Sequence, residues 1–205
     1  KAFDLDLTAS YDKAEDYDFT GKLDLATAVL RNFKPFSGLD IYMHCEAPPG
    51  SGLGSSSTVI VSLIALFKEW LNKSYDKYEM AELAYKLERI DLGLEGGMQD
   101  QYASSFGGFN FIEFKKGKVL VNPLRISRDV INELEYRSLL VYTGKTRLSA
   151  NIISEQKTKY EEGTNIKALD STKDLAVKIK DSLVLGDLDS FGNYLNEGWN
   201  LKKNF

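Results

Sequence analysis

The sequence predicts an α+β fold in which strands and helices are mixed in the first half of the chain and helices dominate the second half. Alternating apolar and polar residues predict short strands within residues 39–45 and 109–121. Apolar residues at helical spacing predict one helix after residue 58 and another over residues 76–92. From residue 149 onward the pattern is helical.

The first part of the chain is predicted to alternate between strands and helices. Residues 1–20 are rich in Asp, Lys and Tyr and are expected to form a short strand and a connection, followed by a helix over residues 23–33. Residues 39–45 have the period of a half-buried strand. Residues 59–71 are apolar on nearly every side, so we expect a buried helix whose N terminus is held rigidly.

The helix predicted over residues 76–92 carries a candidate metal ligand. Asp76 and Glu79 have the spacing of a capping box at its start. At about 100° per residue, Glu88 falls on the border of the apolar stripe that includes Ile90, whereas Arg89 faces away. A border glutamate is commonly a surface residue with a packed stem, so this role and that of a metal ligand both stay open.

The second half is predicted to begin with a hairpin and to end in helices. Strands over residues 109–114 and 119–121 are joined by a turn at residues 115–117, and residues 139–142 are a further strand. Gly186 is expected to end a long helix, and Asp187 to cap the last one.

A glycine-serine run separates the predicted strand at residues 39–45 from the buried helix, and it reads Pro48-Pro49-Gly50-Ser51-Gly52-Leu53-Gly54-Ser55-Ser56-Ser57. Alternate glycines let the backbone approach an anion, and the helix start adds unpaired N–H groups and a positive dipole end. Serine hydroxyls supply further donors and can ligate Mg²⁺. The run therefore predicts a phosphate site of the kind that a kinase needs. The alternative is a glycine-rich turn without a ligand.

The common nucleotide and hydrolase motifs do not describe this run. A P-loop needs Lys after its last glycine, but Ser55 follows Gly54. The glycine spacing is G-x-G-x-G rather than the G-x-G-x-x-G of a dinucleotide fold. A nucleophile elbow needs G-x-S-x-G, and the only histidine, His44, lies inside the predicted strand.

Asp100 is the candidate general base. It follows the glycine-rich residues 93–97 and is surrounded by amides and small residues, a setting that fixes a carboxylate where a substrate can approach. Asp100 could also cap a helix running through residues 102–106, and the two roles are compatible.

Composition excludes several other classes of protein. With 205 residues, of which 43% are hydrophobic, the chain suits one domain or one domain with part of a second. A net charge of -4 argues against a nucleic-acid binder, and no apolar run reaches the length of a membrane span. The single cysteine, Cys45, cannot form an internal disulfide, which is typical of a reducing compartment, so we expect a cytoplasmic protein.

The glycine-serine run resembles the second motif of the GHMP kinases, the superfamily of galactokinase, homoserine kinase, mevalonate kinase and phosphomevalonate kinase. Residues 47–58, 84–93, 96–114 and 142–156, together with Gly198-Trp199, are similar to the D-glycero-D-manno-heptose 7-phosphate kinases. Neither the N-terminal strand-and-glycine motif of this family nor its C-terminal glycine-rich motif is found, so both ends are expected to be missing. Met98 also departs from the family, which has a lysine there.

The resemblance implies a site for ATP, Mg²⁺ and a phosphosugar. Ser56 and Glu88 would hold Mg²⁺, and Asp100 would be the base near the acceptor hydroxyl. The residues that would bind the nucleotide are Pro49, Gly50, Ser51, Gly52, Leu53, Gly54, Ser55, Ser56 and Ser57. The candidate substrate contacts are Gly97, Asp100, Thr143, Lys145 and Arg147. Lys145 and Arg147 suit a sugar phosphate, although a solvated loop is an equal alternative.

The implied reaction moves the γ-phosphate of ATP to the anomeric C1 hydroxyl of D-glycero-D-manno-heptose 7-phosphate, giving the 1,7-bisphosphate for nucleotide-activated heptose biosynthesis. The implied fold has an N-terminal part like domain 2 of ribosomal protein S5 over residues 1–137 and a helix-rich part of the C-terminal domain over residues 138–205, and a homodimer is expected. Two alternatives stay open: a kinase for fucose or a related sugar, and a sugar-binding or ATP-binding protein on the same scaffold that no longer turns over.

Overall fold

The computed structural model describes residues 1–13, 16–47, 50–141, 159–160, 163 and 165–203. Contacts between residues divide them into two compact units, one ending at Gly108 and the other beginning at Phe109. This division lies earlier in the chain than the boundary at residue 137 expected between two kinase domains, and that boundary stays a prediction.

The first unit is built from four α-helices and one π-helical segment. Their bounds are α1 (Asp24–Phe33), α2 (Ser55–Trp70), α3 (Lys77–Tyr85), the π segment (Lys86–Asp91) that continues α3, and α4 (Gln99–Phe106). The helices predicted over residues 23–33, 59–71 and 76–92 are therefore confirmed.

Helix α2 is the central element of the core of the first unit. Ile60, Ile64 and Phe67 are buried on one side of it, where they pack with Val29 of α1 and Leu87 of the π segment. The opposite side faces solvent, since Leu66 is 54% exposed. The expectation that α2 is buried on nearly every side was wrong, although the side that is buried holds its N terminus against the core.

The strand predicted over residues 39–45 does not form a ladder. Its burial alternates as predicted, because Ile41 and Met43 pack against the core while Tyr42 is exposed. Only one isolated bridge forms, in which the Met43 N–H donates to the Lys1 carbonyl at 2.8 Å and the Phe3 N–H donates to the Met43 carbonyl at 2.9 Å. A periodic sequence needs a neighbouring strand to become sheet, and only residues 1–3 lie beside it within the described chain.

The prediction of a short strand near the start of the chain was also wrong. Residues 3–6 form a turn, and Ala2 bridges back to Leu7 in antiparallel fashion. Asp6 adopts a left-handed conformation with φ 48° in this turn, which an extended strand does not permit.

Among its described residues, the second unit combines one β-hairpin with three helices of complete bounds, and residues 159–160 are also helical. Its elements are β1 (Asn110–Lys115), β2 (Lys118–Pro123), α5 (Arg128–Arg137), α6 (Ile166–Leu185) and α7 (Leu188–Lys202). The strands pair antiparallel, with Phe114 opposite Val119 and Gly117 in the turn at φ 71°. The predicted hairpin is confirmed.

Helix termini in the second unit follow their capping residues. Gly186 ends α6 in the left-handed region with φ 76°, and the Asp187 carboxylate accepts from the Ser190 N–H at 3.1 Å at the start of α7, as predicted. Hydrogen bonds from Ser190 lower the pKa of Asp187. Helix α5 was not predicted, although Ser127 caps it by accepting from the Val130 N–H at 3.3 Å.

The prediction of a strand over residues 139–142 was wrong for its first three residues. Residues 139–141 have no ladder partner within the described chain, and their apolar side chains are exposed. Residue 142 and the predicted helix start at residue 149 lie outside the described residues. No helix among the described residues is both long enough and apolar enough to cross a membrane.

The capping box predicted at Asp76 is confirmed. The Asp76 carboxylate accepts from the Glu79 N–H at 2.9 Å, and the Glu79 carboxylate accepts from the Asp76 N–H at 2.8 Å. Two of the N–H groups that a helix start leaves unpaired are therefore satisfied.

Replacing Asp76 with Ala removes the acceptor at the start of α3, and we expect the free energy of unfolding to fall by about 1 kcal/mol. Urea unfolding followed by circular dichroism measures this. Asp40→Ala, a change at an exposed aspartate, is the matched control. Equal losses in the two variants would contradict the capping role.

Candidate functional site

The glycine-serine loop leads into an α2 terminus that has no side-chain cap. Gly50, Gly52 and Gly54 all have positive φ, at 72°, 77° and 69°. Gly54 occupies the N-cap position and has no side chain, so no side chain accepts from the first turn. The first helical bond runs from the Thr58 N–H to the Gly54 carbonyl at 3.0 Å, and the three N–H groups before Thr58 therefore have no acceptor within the helix.

The Ser51 hydroxyl provides an independent indication of a ligand at this loop. Its oxygen is buried, and it makes no hydrogen bond to any part of the chain that the structure describes. Buried hydroxyls are normally paired, so an unpaired one beside an uncapped helix start fits a phosphate oxygen. The donors at the start of α2 thus suit the triphosphate of ATP. Residues 48 and 49, the first two of the predicted loop, lie outside the described residues.

Glu88 lies at the centre of a buried polar cluster behind this loop. Its side chain is 0% exposed. Glu88 Oε1 accepts from the Ser56 hydroxyl at 2.7 Å, and Oε2 accepts from the Ser57 hydroxyl at 2.7 Å and from Gln101 Nε2 at 2.6 Å. Arg89 Nη2 lies 3.5 Å from Oε1. Each carboxylate oxygen therefore has two close polar partners.

The π segment explains why Glu88 is buried more deeply than the sequence predicted. A wheel at 100° per residue places Ile90 on the apolar stripe and Glu88 at its border, but Ile90 is 66% exposed and Glu88 is fully buried. A π turn adds a residue to the helical turn and so rotates the side chains that follow. The Leu92 N–H donates to the Leu87 carbonyl at 3.2 Å, which is the five-residue spacing of such a turn.

The pair Ser56 and Glu88 has a donor set that suits Mg²⁺. The hydroxyl and carboxylate oxygens lie 2.7 Å apart, so both can reach one ion. Magnesium in kinases commonly takes one or two carboxylates, with phosphates and water as its other ligands. The described residues contain no group of three or more His, Cys, Asp or Glu side chains that could hold a metal.

Asp100 lies at the entrance to α2. A Cβ placed on Gly54 would stand 3.4 Å from Asp100 Cγ and 3.6 Å from Oδ2, so the carboxyl group packs directly against the N-cap of α2. Met98 is the N-cap of α4, and Asp100 lies within its first turn. The predicted capping role of Asp100 was therefore wrong. Its carboxylate lies instead beside the glycine-serine loop.

The residue that follows Asp100 joins α4 to the buried carboxylate. Gln101 is completely buried and donates its amide to Glu88. Next to it, Tyr102 is buried against α3, and burial, followed by the charge of Glu82, raises the pKa of Tyr102 above its ordinary value. Tyr102 is therefore a neutral phenol near neutral pH. Sequence analysis missed Gln101, whose sequence context carries no signal that distinguishes it from Gln99.

Arg89 was predicted to face away from the core but lies in the cluster. Its guanidinium contacts Glu88 and the backbone of the glycine-rich residues 93–97, including the Gly97 carbonyl at 3.4 Å. Gly97 therefore lies one turn before Asp100 in the same site, and its contact with substrate stays a prediction. The other predicted substrate contacts, Thr143, Lys145 and Arg147, lie outside the described residues.

An apolar cavity of about 510 Å³ adjoins the start of α2. Leu5, Leu23, Met43, Val59 and Leu94 contribute apolar walls, and Ser55 and Ser56 border it on the loop side. Asp4, Asp24 and His44 also line it, but none of the described lining residues is a lysine or arginine of the kind that would pair with a sugar phosphate.

Comparison with known proteins identifies related folds and activities. Residues 22–108 match the model of the GHMP kinases N terminal domain. The chain is 41% identical over 211 residues to the D-glycero-alpha-D-manno-heptose 7-phosphate kinase of Campylobacter jejuni, with 98% of this chain and 62% of that protein covered. It is 31% identical over 183 residues to the bifunctional fucokinase/GDP-fucose pyrophosphorylase of Arabidopsis thaliana, covering 86% of this chain and 17% of that protein.

A solved structure has the same fold. The crystal structure of a D-glycero-D-manno-heptose 1-phosphate kinase from Bacteroides thetaiotaomicron aligns with a TM-score of 0.81 and 36% identity, covering 100% of this chain and 62% of that one. The predicted fold class and family resemblance are thereby confirmed. The chain spans about 62% of the length of these two heptose kinases.

Replacing Glu88 with Ala would leave the Ser57 hydroxyl and the Gln101 amide buried without their acceptor. We expect the free energy of unfolding to fall by at least about 2 kcal/mol. On folding, these buried polar groups would give up their hydrogen bonds to water and find no partner in the protein. Urea unfolding measures the loss. The control is Glu82→Ala, at an exposed position on α3. A loss no larger than that of the control would show that the cluster does not stabilise the fold.

Proposed function

The chain belongs to the GHMP kinases, and on that basis we propose that it carries the ATP-binding and Mg²⁺-binding part of a sugar kinase. The observation that carries the proposal is the position of Asp100. Its carboxyl group packs against Gly54 at the uncapped start of α2. Glu88, from the π segment, accepts a hydrogen bond from Ser56 in the first turn of α2. A base, a phosphate site and a metal-ligand pair therefore converge on one helix terminus.

The residues of the loop would bind the triphosphate. The N–H groups of the first turn of α2 and the positive end of its dipole neutralise phosphate oxygens, and the Ser51 hydroxyl supplies a further donor. Ser56 and Glu88 would hold Mg²⁺, which supplies charge neutralisation on the phosphoryl oxygens. The pocket so formed requires no cationic side chain in the loop.

Asp100 would orient the acceptor hydroxyl and accept its proton. The hydroxyl oxygen bonds to the γ-phosphorus as the bond from that phosphorus to the bridging oxygen breaks, and ADP leaves with the electron pair. Because phosphoryl transfer depends mainly on alignment and charge neutralisation, a carboxylate fixed in the right place is sufficient.

We propose D-glycero-D-manno-heptose 7-phosphate as the acceptor and its anomeric C1 hydroxyl as the nucleophile. Support comes from the 41% identity to a heptose 7-phosphate kinase. Gly97 and the hydroxyl and cationic side chains of Thr143, Lys145 and Arg147 are proposed to contact the sugar and its phosphate, since a guanidinium fork matches phosphate oxygens. A cytoplasmic location and a homodimer likewise stay proposals.

The second candidate is a kinase for a different sugar. The identity of 31% to a plant fucokinase favours it, and the solved neighbour is described as acting on a heptose 1-phosphate rather than a 7-phosphate. The glycine-serine loop faces the nucleotide in this proposal, so its geometry does not distinguish the acceptors.

A panel of acceptors with MgATP should identify the substrate. We expect kcat/KM for heptose 7-phosphate to exceed those for heptose 1-phosphate, fucose and galactose by at least about tenfold, because a cationic pair recognises the distal phosphate. A coupled assay of ADP release measures the rates. A preference for fucose or galactose would support the second candidate.

The change Asp100→Asn tests turnover separately from binding. We expect MgATP to bind the variant with unchanged affinity, since the loop and Glu88 are intact. Turnover should fall by about 10²-fold to 10⁴-fold because the acceptor loses its base. Calorimetry measures the binding and the ADP assay measures the rate. If the native chain binds MgATP but turns over none of the acceptors, a binding protein on the kinase scaffold would be indicated instead.

A further inference from the structure

We propose that Arg89 is a positioning residue that fixes the segment of residues 93–98, here called the glycine segment, and through it the place of Asp100. The consequence for catalysis rests on the proposed function, whereas the structural part does not. Arg89 was expected to face away from the apolar stripe of its helix. Its side chain is instead only 12% exposed and lies inside the site.

The guanidinium of Arg89 uses all three of its nitrogens. Nε donates to the Gly97 carbonyl at 3.4 Å, and Nη1 donates to the Leu94 carbonyl at 3.4 Å and to the Glu95 carbonyl at 3.1 Å. The third nitrogen, Nη2, is the one beside Glu88 Oε1. One planar group therefore holds both ends of the glycine segment to the π segment.

The backbone of Gly96 packs directly against this guanidinium. A Cβ on Gly96 would lie 2.5 Å from Arg89 Cζ and 2.7 Å and 2.8 Å from its two terminal nitrogens. Any larger residue must displace the guanidinium, because two heavy atoms cannot approach so closely. The backbone of Gly96 is not in the positive-φ region, so its absent side chain serves this contact rather than a special backbone conformation.

The glycine segment is the direct lead into α4. Gly97 is held by Arg89 Nε, Met98 is the N-cap, and Asp100 follows in the first turn. At the other end, the Leu94 N–H donates to the Glu88 carbonyl at 3.2 Å. Only two residues, Met98 and Gln99, separate the anchored Gly97 from Asp100. This connection is too short to absorb a displacement of the glycine segment, so Asp100 would move with it.

Both the charge and the shape of Arg89 are used. A lysine ammonium could still pair with Glu88, but it is a single point and cannot bond three carbonyls spread around a plane. The Arg89→Lys variant therefore keeps the cation and loses the fork, and Arg89→Met loses both. Lys86→Met is the matched control, since Lys86 is an exposed cation at the start of the same π segment.

Hydrogen exchange of the chain without nucleotide tests the structural part. We expect the amides of residues 94–100 to exchange at least about tenfold faster in Arg89→Lys and Arg89→Met, and at the native rate in Lys86→Met. Mass spectrometry of peptides from this segment measures the rates. Native exchange rates in both Arg89 variants would overturn the proposal, whether or not the chain is a kinase.

A double-mutant cycle tests whether Gly96 and Arg89 act together. We expect Gly96→Ala to speed exchange of the glycine segment in the native background and to add nothing in the Arg89→Met background, because the guanidinium that it displaces is already absent. Equal effects in the two backgrounds would show that Gly96 serves another purpose and would overturn the proposed packing.

Kinetics then tests the effect on Asp100. Displacing the base by about 1 Å can lower turnover by about 10²-fold, so we expect kcat to fall by about 10-fold to 100-fold in Arg89→Lys with an unchanged KM for ATP. A rise in KM for ATP at native kcat would instead place Arg89 in nucleotide binding and overturn its role toward Asp100. Absence of turnover in the native chain would count against the proposed kinase function and would leave the exchange results standing.

Discussion

The burial of the Glu88 carboxylate is the constraint on which the first unit depends. A charge removed from water costs several kcal/mol unless polar groups replace the solvent. Here the replacements come from three places along the chain: Ser56 and Ser57 at the start of α2, Gln101 in α4, and Arg89 beside Glu88. Keeping the carboxylate satisfied therefore requires α2, the π segment and α4 to stay in fixed relative positions.

The same requirement brings the proposed base to the phosphate loop. Gln101 must point inward to donate to Glu88, and adjacent residues on a helix are about 100° apart. Asp100 consequently points in a different direction from Gln101, and in this structure that direction leads to Gly54. A glycine is favoured there because φ is 69°, and the backbone of Gly54 lies close to the carboxyl group of Asp100. Gln101, which bonds the proposed metal ligand Glu88, and Asp100, the proposed base, are thus neighbouring residues of one short helix.

Sequence periodicity and capping predicted what depends on local chemistry. The Asp76 capping box, the Gly186 stop and the helix start that follows the glycine-serine loop each depend on a few adjacent residues, and all three occur as predicted. The incorrect predictions concern features that depend on residues distant in the sequence or on a departure from regular helix geometry. Residues 39–45 alternate correctly but lack a strand to pair with, and Arg89 was placed on the wrong side because a regular helix was assumed through the π segment. Local spacing carries no signal for either.

The distribution of charge explains how a loop without a lysine can serve a triphosphate. The first turn of α2 has no acidic residue, so its dipole end is not neutralised from within the helix. Glu88 lies buried behind Ser56, and Arg89 Nη2 lies 3.5 Å from Glu88 Oε1 as its ion-pair partner. Under the proposed function, Ser56 and Glu88 would supply only two of the six ligands that Mg²⁺ requires, and the phosphates of ATP would be suited to supply others. A nucleotide bound at the start of α2 would thus bring both the remaining ligands and the negative charge that such a metal would offset.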